Sequence, residues 1–246
     1  QANIIGTQNI IDLAIRYKIK RFIHISTPSL YFKFKDAYNI SENDSIEEPH
    51  PSMYTHTKYF AEKIVDKAIA EHNLSAITIR PRGIFGPGDV TLLPRIINLA
   101  KEKKLSQVGN SKNHVDITYV DNVSQSIELA LQAPDSCLGE KYNISNGEPI
   151  QQWEFIGELL SKLGYAPPTK IVPYPVVFCF AAILEFIYKI FQIKNEPRLT
   201  RYTVGLLYFS QTLSIDKAKK ELKYLPEVSI EEGLSRVVKW WRANEN

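Results

Sequence analysis

The stretch RFIHIS at Arg21–Ser26, followed by MYTHTKYFAEKIVDKAIAEH at Met53–His72 and SAITIR at Ser75–Arg80, decides the fold. The first and third segments are short and rich in Ile and Phe, the composition of buried strands. The middle segment carries Phe60, Ile64, Val65, Ala68 and Ile69 at helical spacing. Strand, helix and strand in this order predict a right-handed βαβ unit in a parallel sheet, and hence an α/β protein. Between the first strand and the helix, Asp36–Ser52 is polar and contains Pro49 and Pro51, which reads as a loop; Pro81 stops the second strand.

Outward from this core, Asn3–Tyr17 places Ile4, Ile10, Ile11, Leu13, Ala14 and Ile15 in a helical stripe. Further on, Thr91–Lys103 reads as a helix, Asp116–Val120 as extended, and Asp121–Gln132 as a helix with Asp121 as its N-cap. Lys141–Ile144 reads as another strand of the sheet. From Gln151 onward strand–helix alternation ends. Helices are predicted over 151–163, 175–193, 216–222 and 229–241, the last opened by a Ser229/Glu232 capping box. The expected organisation is a sheet domain over 1–145 and a smaller, mostly helical region over 146–246, with 86–113 contributing to the second.

Composition narrows the function classes. The 246 residues can bury a substantial core, and 44% hydrophobic with 23% charged residues is the balance of a globular chain. A net charge of +3 is too small to argue for nucleic acid. Cys137 and Cys179 form no CxxC pair, and the five histidines share no ligand-like spacing, so no metal site is expected. Nothing reads as a secretory signal, which places the protein in the cytoplasm. Gln1 at the start and Met53 as the one methionine lead to the expectation that the chain begins inside a longer protein.

Tyr54 and Lys58 stand four residues apart at the start of the predicted helix, so both project from one face. A phenol titrates near pH 10 in water, too high for a general base at neutral pH, and a neighbouring ammonium lowers that value. Such a pair can give a proton to a carbonyl or take one from an alcohol. The alternative is two ordinary surface residues. Ser26, Thr27, Pro28 and Ser29 follow the first strand directly, which puts hydroxyls at its carboxyl end, where ligands bind in open α/β sheets. Without the Tyr–Lys pair these would be simple turn residues.

The chain resembles the extended short-chain dehydrogenase/reductase family, whose members include NAD-dependent epimerases and dehydratases. The residues that carry the resemblance are NIIGTQN (Asn3–Asn9), ISTPSLY (Ile25–Tyr31), YTHTK (Tyr54–Lys58) and RPRGIFGPGD (Arg80–Asp89). They continue with VDITYVDNV (Val115–Val123), YNISNGEP (Tyr142–Pro149) and the ending at Glu231–Arg242, all in the family's order. The resemblance implies the C-terminal part of a doubly wound, Rossmann-type parallel sheet with a helical substrate-binding cap, and NAD or NADP as cofactor. It implies that Tyr54 is the acid/base, that Lys58 holds the nicotinamide ribose and lowers the Tyr54 pKa, and that Thr27, with Ser26 as fallback, orients the substrate oxygen. Pro81 and the Ile84 backbone match the stretch lining the nicotinamide, and Asn3 lies near the cofactor. A homodimer through helices packed on the sheet is also consistent with the family.

A complete member begins with a strand, a G-x-x-G-x-x-G turn and a helix that cradles the pyrophosphate. No such segment precedes Asn3, so this stretch alone is expected to bind cofactor poorly, to be inactive by itself and to leave a sheet edge open. Gly83, Gly86 and Gly88 imitate the glycine fingerprint, but Pro81 and Pro87 stiffen their loop and no acid-ended strand follows, so they read as a later loop on the nicotinamide side. The NAD-or-NADP choice rests on residues outside the stretch.

Sugar-nucleotide members commonly carry Arg before the acid of the D-x-x-Y-V stretch; here Val115 precedes Asp116, although Arg95, Arg198 or Arg201 remain as cations. The motifs look more like the 3β-hydroxysteroid dehydrogenase-like branch. The apolar segment 175–193, interrupted by Glu185 and Lys189, has three readings: a cap helix lining an apolar pocket, a core helix, or a peripheral membrane contact. The leading expectation is an NAD(P)-dependent oxidoreductase interconverting a secondary alcohol and a ketone on a steroid-like or lipid-like substrate. The alternatives are a nucleotide-sugar epimerase/dehydratase and a non-catalytic cofactor-binding protein.

Overall fold

The computed structural model describes residues 2–110, 112–193, 195–197 and 199–244. A wide π-type turn at Ala2–Gly6 leads into helix α1 (Thr7–Arg16), strand β1 (Phe22–Ile25) and β2 (Ala37–Ile40). Helix α2 (Met53–His72), β3 (Ala76–Pro81), β4 (Ile84–Phe85) and α3 (Leu92–Lys101) follow. Then come β5 (Gln107–Val108), β6 (His114–Val115), β7 (Thr118–Tyr119), α4 (Val120–Gln132) and β8 (Lys141–Ile144). The chain continues through β9 (Ile150–Gln151), α5 (Gln152–Lys162), β10 (Ile171–Val172) and α6 (Tyr174–Ile190). It ends with α7 (Arg201–Leu206), β11 (Gln211–Leu213) and α8 (Ile230–Asn244).

The central sheet has the order β1-β3-β8, all parallel, with Ile25 beside Ile79 and Pro81 beside Ile144. Strand alternation in β3 sends odd and even residues to opposite faces. Ala76 joins Ile11, Ala14, Val65 and Ala68 of α1 and α2 on one face. Ile77 and Ile79 join Ala130 of α4 with Tyr142, Ile144 and Leu222 on the other. Helices therefore cover both faces, the condition for a parallel sheet. A third cluster, with Ile97, Trp153, Leu159, Leu160, Leu234 and Val237, holds α3, α5 and α8 together beyond the carboxyl edge.

The bounds of α2 match the sequence reading because the helix is capped at both ends. Ser52 and Thr55 exchange hydrogen bonds in a capping box, and Asn73 closes it in the left-handed region at φ 52°. Other expectations need correction. The loop over 36–52 contains β2, which pairs with β11. Asp121 is not an N-cap; α4 begins at Val120, and Asp121 lies in its first turn, where its charge still favours the helix dipole. Short strands β10 and β11 lie within the mostly helical stretch beyond Gln151, and the helix expected over 216–222 is a π-type turn at Ala218–Leu222. The order β2-β11-β6-β9 interleaves the early and late parts of the chain in one small sheet.

Helix α6 buries Ala181 and packs Tyr174, Val177 and Phe178 on the third cluster, while Val176, Phe180, Ile183, Phe186, Ile187 and Ile190 are exposed. A plain core helix therefore describes only one of its sides. Among the described residues no helix is long and apolar enough to cross a membrane.

Candidate active site

The site is built where β1 ends and α2 begins. Ser26 N–H donates to the Ile79 carbonyl at 2.8 Å, which holds the strand in register to its last residue. Thr27 then caps a short turn, Pro28–Tyr31, its Oγ1 accepting from Ser29 N–H at 3.2 Å. Thr27 is buried at 6% exposure. Capping occupies a lone pair and leaves the hydroxyl proton free to donate.

Across from this turn, the Ser52–Thr55 capping box fixes the first turn of α2, from which the Tyr54 side chain projects 45% exposed. Among the described residues the Tyr54 hydroxyl makes no hydrogen bond. One turn further along, Lys58 Nζ donates to the Ile25 carbonyl at 2.9 Å. Burial pulls the Lys58 pKa below the usual lysine value, and the Glu62 carboxylate partly restores it. Lys58 has two more N–H donors for a ligand. Asn3 Nδ2 donates to Thr57 Oγ1 at 3.0 Å, which places Asn3 against the same helix. Pro81 ends β3 and is buried, while Ile84 in β4 is 42% exposed at the same edge. An ammonium with donors to spare and an exposed aliphatic side chain are groups that fit a nicotinamide riboside. Tyr54, Lys58, Thr27, Asn3, Pro81 and Ile84 thus come from five elements, and of these six residues Lys58 is the one whose side chain bonds directly from helix to strand.

The glycine loop is not a phosphate cradle. Gly83 sits at φ +49° with the Ile117 side chain and the Asp116 carbonyl against it, and a Cβ on Gly86 would overlap the Val120 side chain. These glycines let the loop approach β7 and α4 closely. Arg198, one of the cations named for a diphosphate, lies outside the described residues; Arg201 is engaged by Glu185 at 2.6 Å.

Two groups escaped the sequence reading. Glu62, one turn beyond Lys58, is 2% exposed and takes a two-pronged hydrogen bond from Arg80, Nε to Oε1 at 2.8 Å and Nη2 to Oε2 at 2.5 Å. Lys141 adds a contact at 3.2 Å, and the third Arg80 nitrogen donates to the Tyr31 hydroxyl. Burial alone would raise the Glu62 pKa, but the hydrogen bonds and charge of Arg80, then Lys141, hold it down at about 2. Burial pushes the Tyr31 phenol up to about 12. Ser26 Oγ is buried without a hydrogen bond at ordinary distance, yet it is close enough to Glu62 to favour the carboxylate. The second group is Arg82 with Tyr202, both buried. The signal for Glu62 was its i+4 spacing from Lys58, and for Arg80 its place in an otherwise apolar strand.

The histidines take no part. His24 is buried with Nε2 unpartnered, and burial lowers its pKa to about 4, so it is neutral near pH 7. His56 is half-buried, its ring packed against His50 and Phe60. Among the described residues no cluster of His, Cys, Asp and Glu could hold a metal.

The profile of the 3-beta hydroxysteroid dehydrogenase/isomerase family matches residues 1–176. A 2-alkyl-3-oxoalkanoate reductase of Stenotrophomonas maltophilia is 35% identical over 242 residues, covering 96% of this chain and 73% of that protein. The human sterol-4-alpha-carboxylate 3-dehydrogenase, decarboxylating, is 34% identical over 249 residues, covering 98% of this chain and 67% of that protein. Several further relatives are covered over less than two thirds of their length. A dTDP-glucose 4,6-dehydratase from Streptomyces venezuelae, solved with NAD bound, shares the fold with a TM-score of 0.74 at 23% identity, over 98% of this chain and 66% of that one.

Proposed function

Because the chain belongs to the 3-beta hydroxysteroid dehydrogenase/isomerase family, we propose that it is the greater part of an NAD(P)-dependent oxidoreductase that interconverts a secondary alcohol and a ketone on a lipid-like substrate. The observation that carries the reading is the placement of the Tyr54 phenol and the Lys58 ammonium on one face of α2, with Lys58 tied to the strand that delivers Thr27.

Each residue has a role that its surroundings support. Tyr54 exchanges a proton with the substrate oxygen; its hydroxyl is exposed and unbonded, as a group that must reach a ligand has to be. Lys58 holds the ribose hydroxyls and presents its positive charge one turn from Tyr54 on the same helix. Thr27 donates its free hydroxyl proton to the same substrate oxygen and fixes its position. Pro81 and Ile84 form the apolar floor beneath the flat ring, and Asn3 braces α2 through Thr57. Bound NAD(P) supplies or accepts the hydride.

The names of the relatives narrow the substrate. A 3-oxoalkanoate and a sterol 4-carboxylate with its reacting centre at carbon 3 each carry a carboxylate on the carbon next to the one that changes oxidation state. Both are otherwise apolar. Val115, where sugar-nucleotide enzymes place an arginine, is buried and supplies no charge for a diphosphate, so the epimerase/dehydratase reading takes second place. The exposed apolar side of α6 is proposed to rest on a lipid surface from which such a substrate is drawn.

Tyr54→Phe tests the reading. Turnover of a 3-hydroxy or 3-oxo substrate, followed as NAD(P)H absorbance, is expected to fall by about 10²- to 10⁴-fold, the usual contribution of a positioned acid/base. Cofactor affinity is expected to stay the same. Unchanged turnover overturns the mechanism.

A further inference from the structure

Arg82 is 9% exposed and, among the described residues, makes no side-chain hydrogen bond and no ion pair. An unpaired buried guanidinium is costly, and folded proteins keep one where something else completes it. The carboxylate whose charge acts on it is Asp116, 1% exposed. That carboxylate does not pair with Arg82 either: Oδ2 accepts from Leu213 N–H at 2.6 Å, and Oδ1 has no partner. The two charges influence each other at a distance without meeting.

The strand determines where Arg82 points. Arg82 N–H donates to the Ile144 carbonyl at 3.0 Å, so the parallel ladder runs one residue past Pro81. By alternation Arg82 projects from the same face as Arg80, the face covered by α2, but one step nearer the carboxyl edge. Tyr202 is there, 8% exposed; its ring packs edge-on against Phe32 at 5.1 Å, where the turn carrying Thr27 ends, and its phenol interacts electrostatically with Arg82 and Tyr54. Tyr202 therefore lies between the guanidinium and the turn that carries Thr27.

We propose that Arg82 is the anion-binding residue of the substrate site and holds a carboxylate on the carbon adjacent to the reacting one, so that the substrates are 3-hydroxy or 3-oxo acids with an apolar remainder. A guanidinium presents two parallel N–H donors that match a carboxylate. The second oxygen-bearing group of the substrate then fixes which face of the carbinol carbon meets Tyr54. This inference rests on the oxidoreductase reading for the identity of the reacting carbon, but its test does not depend on turnover.

The test is calorimetric binding of a 2-alkyl-3-hydroxyalkanoate and of its methyl ester to the whole protein with NAD(P) present. The acid is expected to bind the unsubstituted protein at least about tenfold tighter than the ester, in line with charge-assisted hydrogen bonds. Arg82→Gln is expected to erase that preference while leaving ester affinity unchanged, and Arg82→Lys to retain part of it. Equal binding of acid and ester, equal weakening of both by Arg82→Gln, or binding of neither overturns the proposal. If Arg82→Gln does not fold, the acid-to-ester ratio of the unsubstituted protein and of Arg82→Lys still decides. NAD(P)H absorbance on the same samples separates the two claims. An acid preference without hydride transfer keeps the anion site and removes the enzymatic reading; turnover blind to the carboxylate does the reverse.

Discussion

Lys58 Nζ donates to the carbonyl oxygen of Ile25 at 2.9 Å, joining the second turn of α2 to the last residue of the strand before Ser26 and Thr27. The bond does more than bury a charge. It fixes the gap between the helix that carries Tyr54 and the strand end that carries Thr27, and it holds the ammonium at the sheet edge with donors to spare.

Lys58→Met is expected to weaken cofactor binding and slow turnover together, because it removes both the ribose ligand and the tether. Lys58→Arg keeps the charge but replaces a compact ammonium with a planar fork, so it is expected to recover only a small part of the rate. Steady-state kinetics with cofactor titration checks both. A Lys58→Met variant that loses cofactor affinity at unchanged kcat would restrict the lysine to ribose binding.

The Glu62–Arg80 pair behind Lys58 ties α2 to β3, and Arg80 extends it to Tyr31 in the Thr27 turn. Removing one member leaves a buried charge alone, at a cost of about 3–5 kcal/mol. Glu62→Gln and Arg80→Met are each expected to destabilise by about that much, and the double variant by less than the sum, measured by urea unfolding. The sign of the pH effect follows from the pKa of about 2. Because folding depresses it, the stabilisation is complete above the ordinary glutamate value and is lost as pH falls towards 2.

Residues differ in how legible these relations were. The bounds of α2 and β8 could be read because apolar periodicity and caps act within a few residues of each other. Strands β2 and β11 could not, because each is only three or four residues long and they pair with each other across more than 170 positions. Tyr54, Lys58 and Thr27, the trio proposed to be catalytic, stand out in the sequence through motif order. Arg80 and Arg82 do not, since a charged residue at a strand end looks like a solvent-facing one until the element that covers it is known. Glu62 buried beneath Lys58 needed the same knowledge.

His24 gives a separate pH signature. Burial lowers its pKa to about 4, so the folded protein binds fewer protons than the unfolded chain between pH 4 and 6.5. Stability therefore rises with pH through that window and is lost as pH falls. On cooling effects aside, at fixed temperature the loss between pH 7 and pH 5 is about 2 kcal/mol. His24→Phe is expected to abolish that dependence, and urea unfolding at the two pH values checks it. An unchanged difference would assign the acid sensitivity to other groups.

The exposed side of α6 leads to the last prediction. Val176, Phe180, Ile183, Ile187 and Ile190 recur every three or four residues and are all exposed, with Phe186 and Phe191 beside them. A contiguous apolar stripe of this kind is rare on a surface that meets only water. The inner side, with Tyr174, Val177, Phe178 and Ala181, packs on the cap, so the helix can lie flat on a lipid surface without unfolding anything. Co-sedimentation with neutral phosphatidylcholine vesicles is expected, and Phe180→Asp with Ile187→Asp is expected to abolish it while leaving the fold intact, since both side chains face outward. Because the stripe and not charge drives the contact, raising the salt concentration should not release the protein. A protein that stays in the supernatant and instead dimerises, with the same two substitutions returning it to monomer, would assign the stripe to a second copy of the chain.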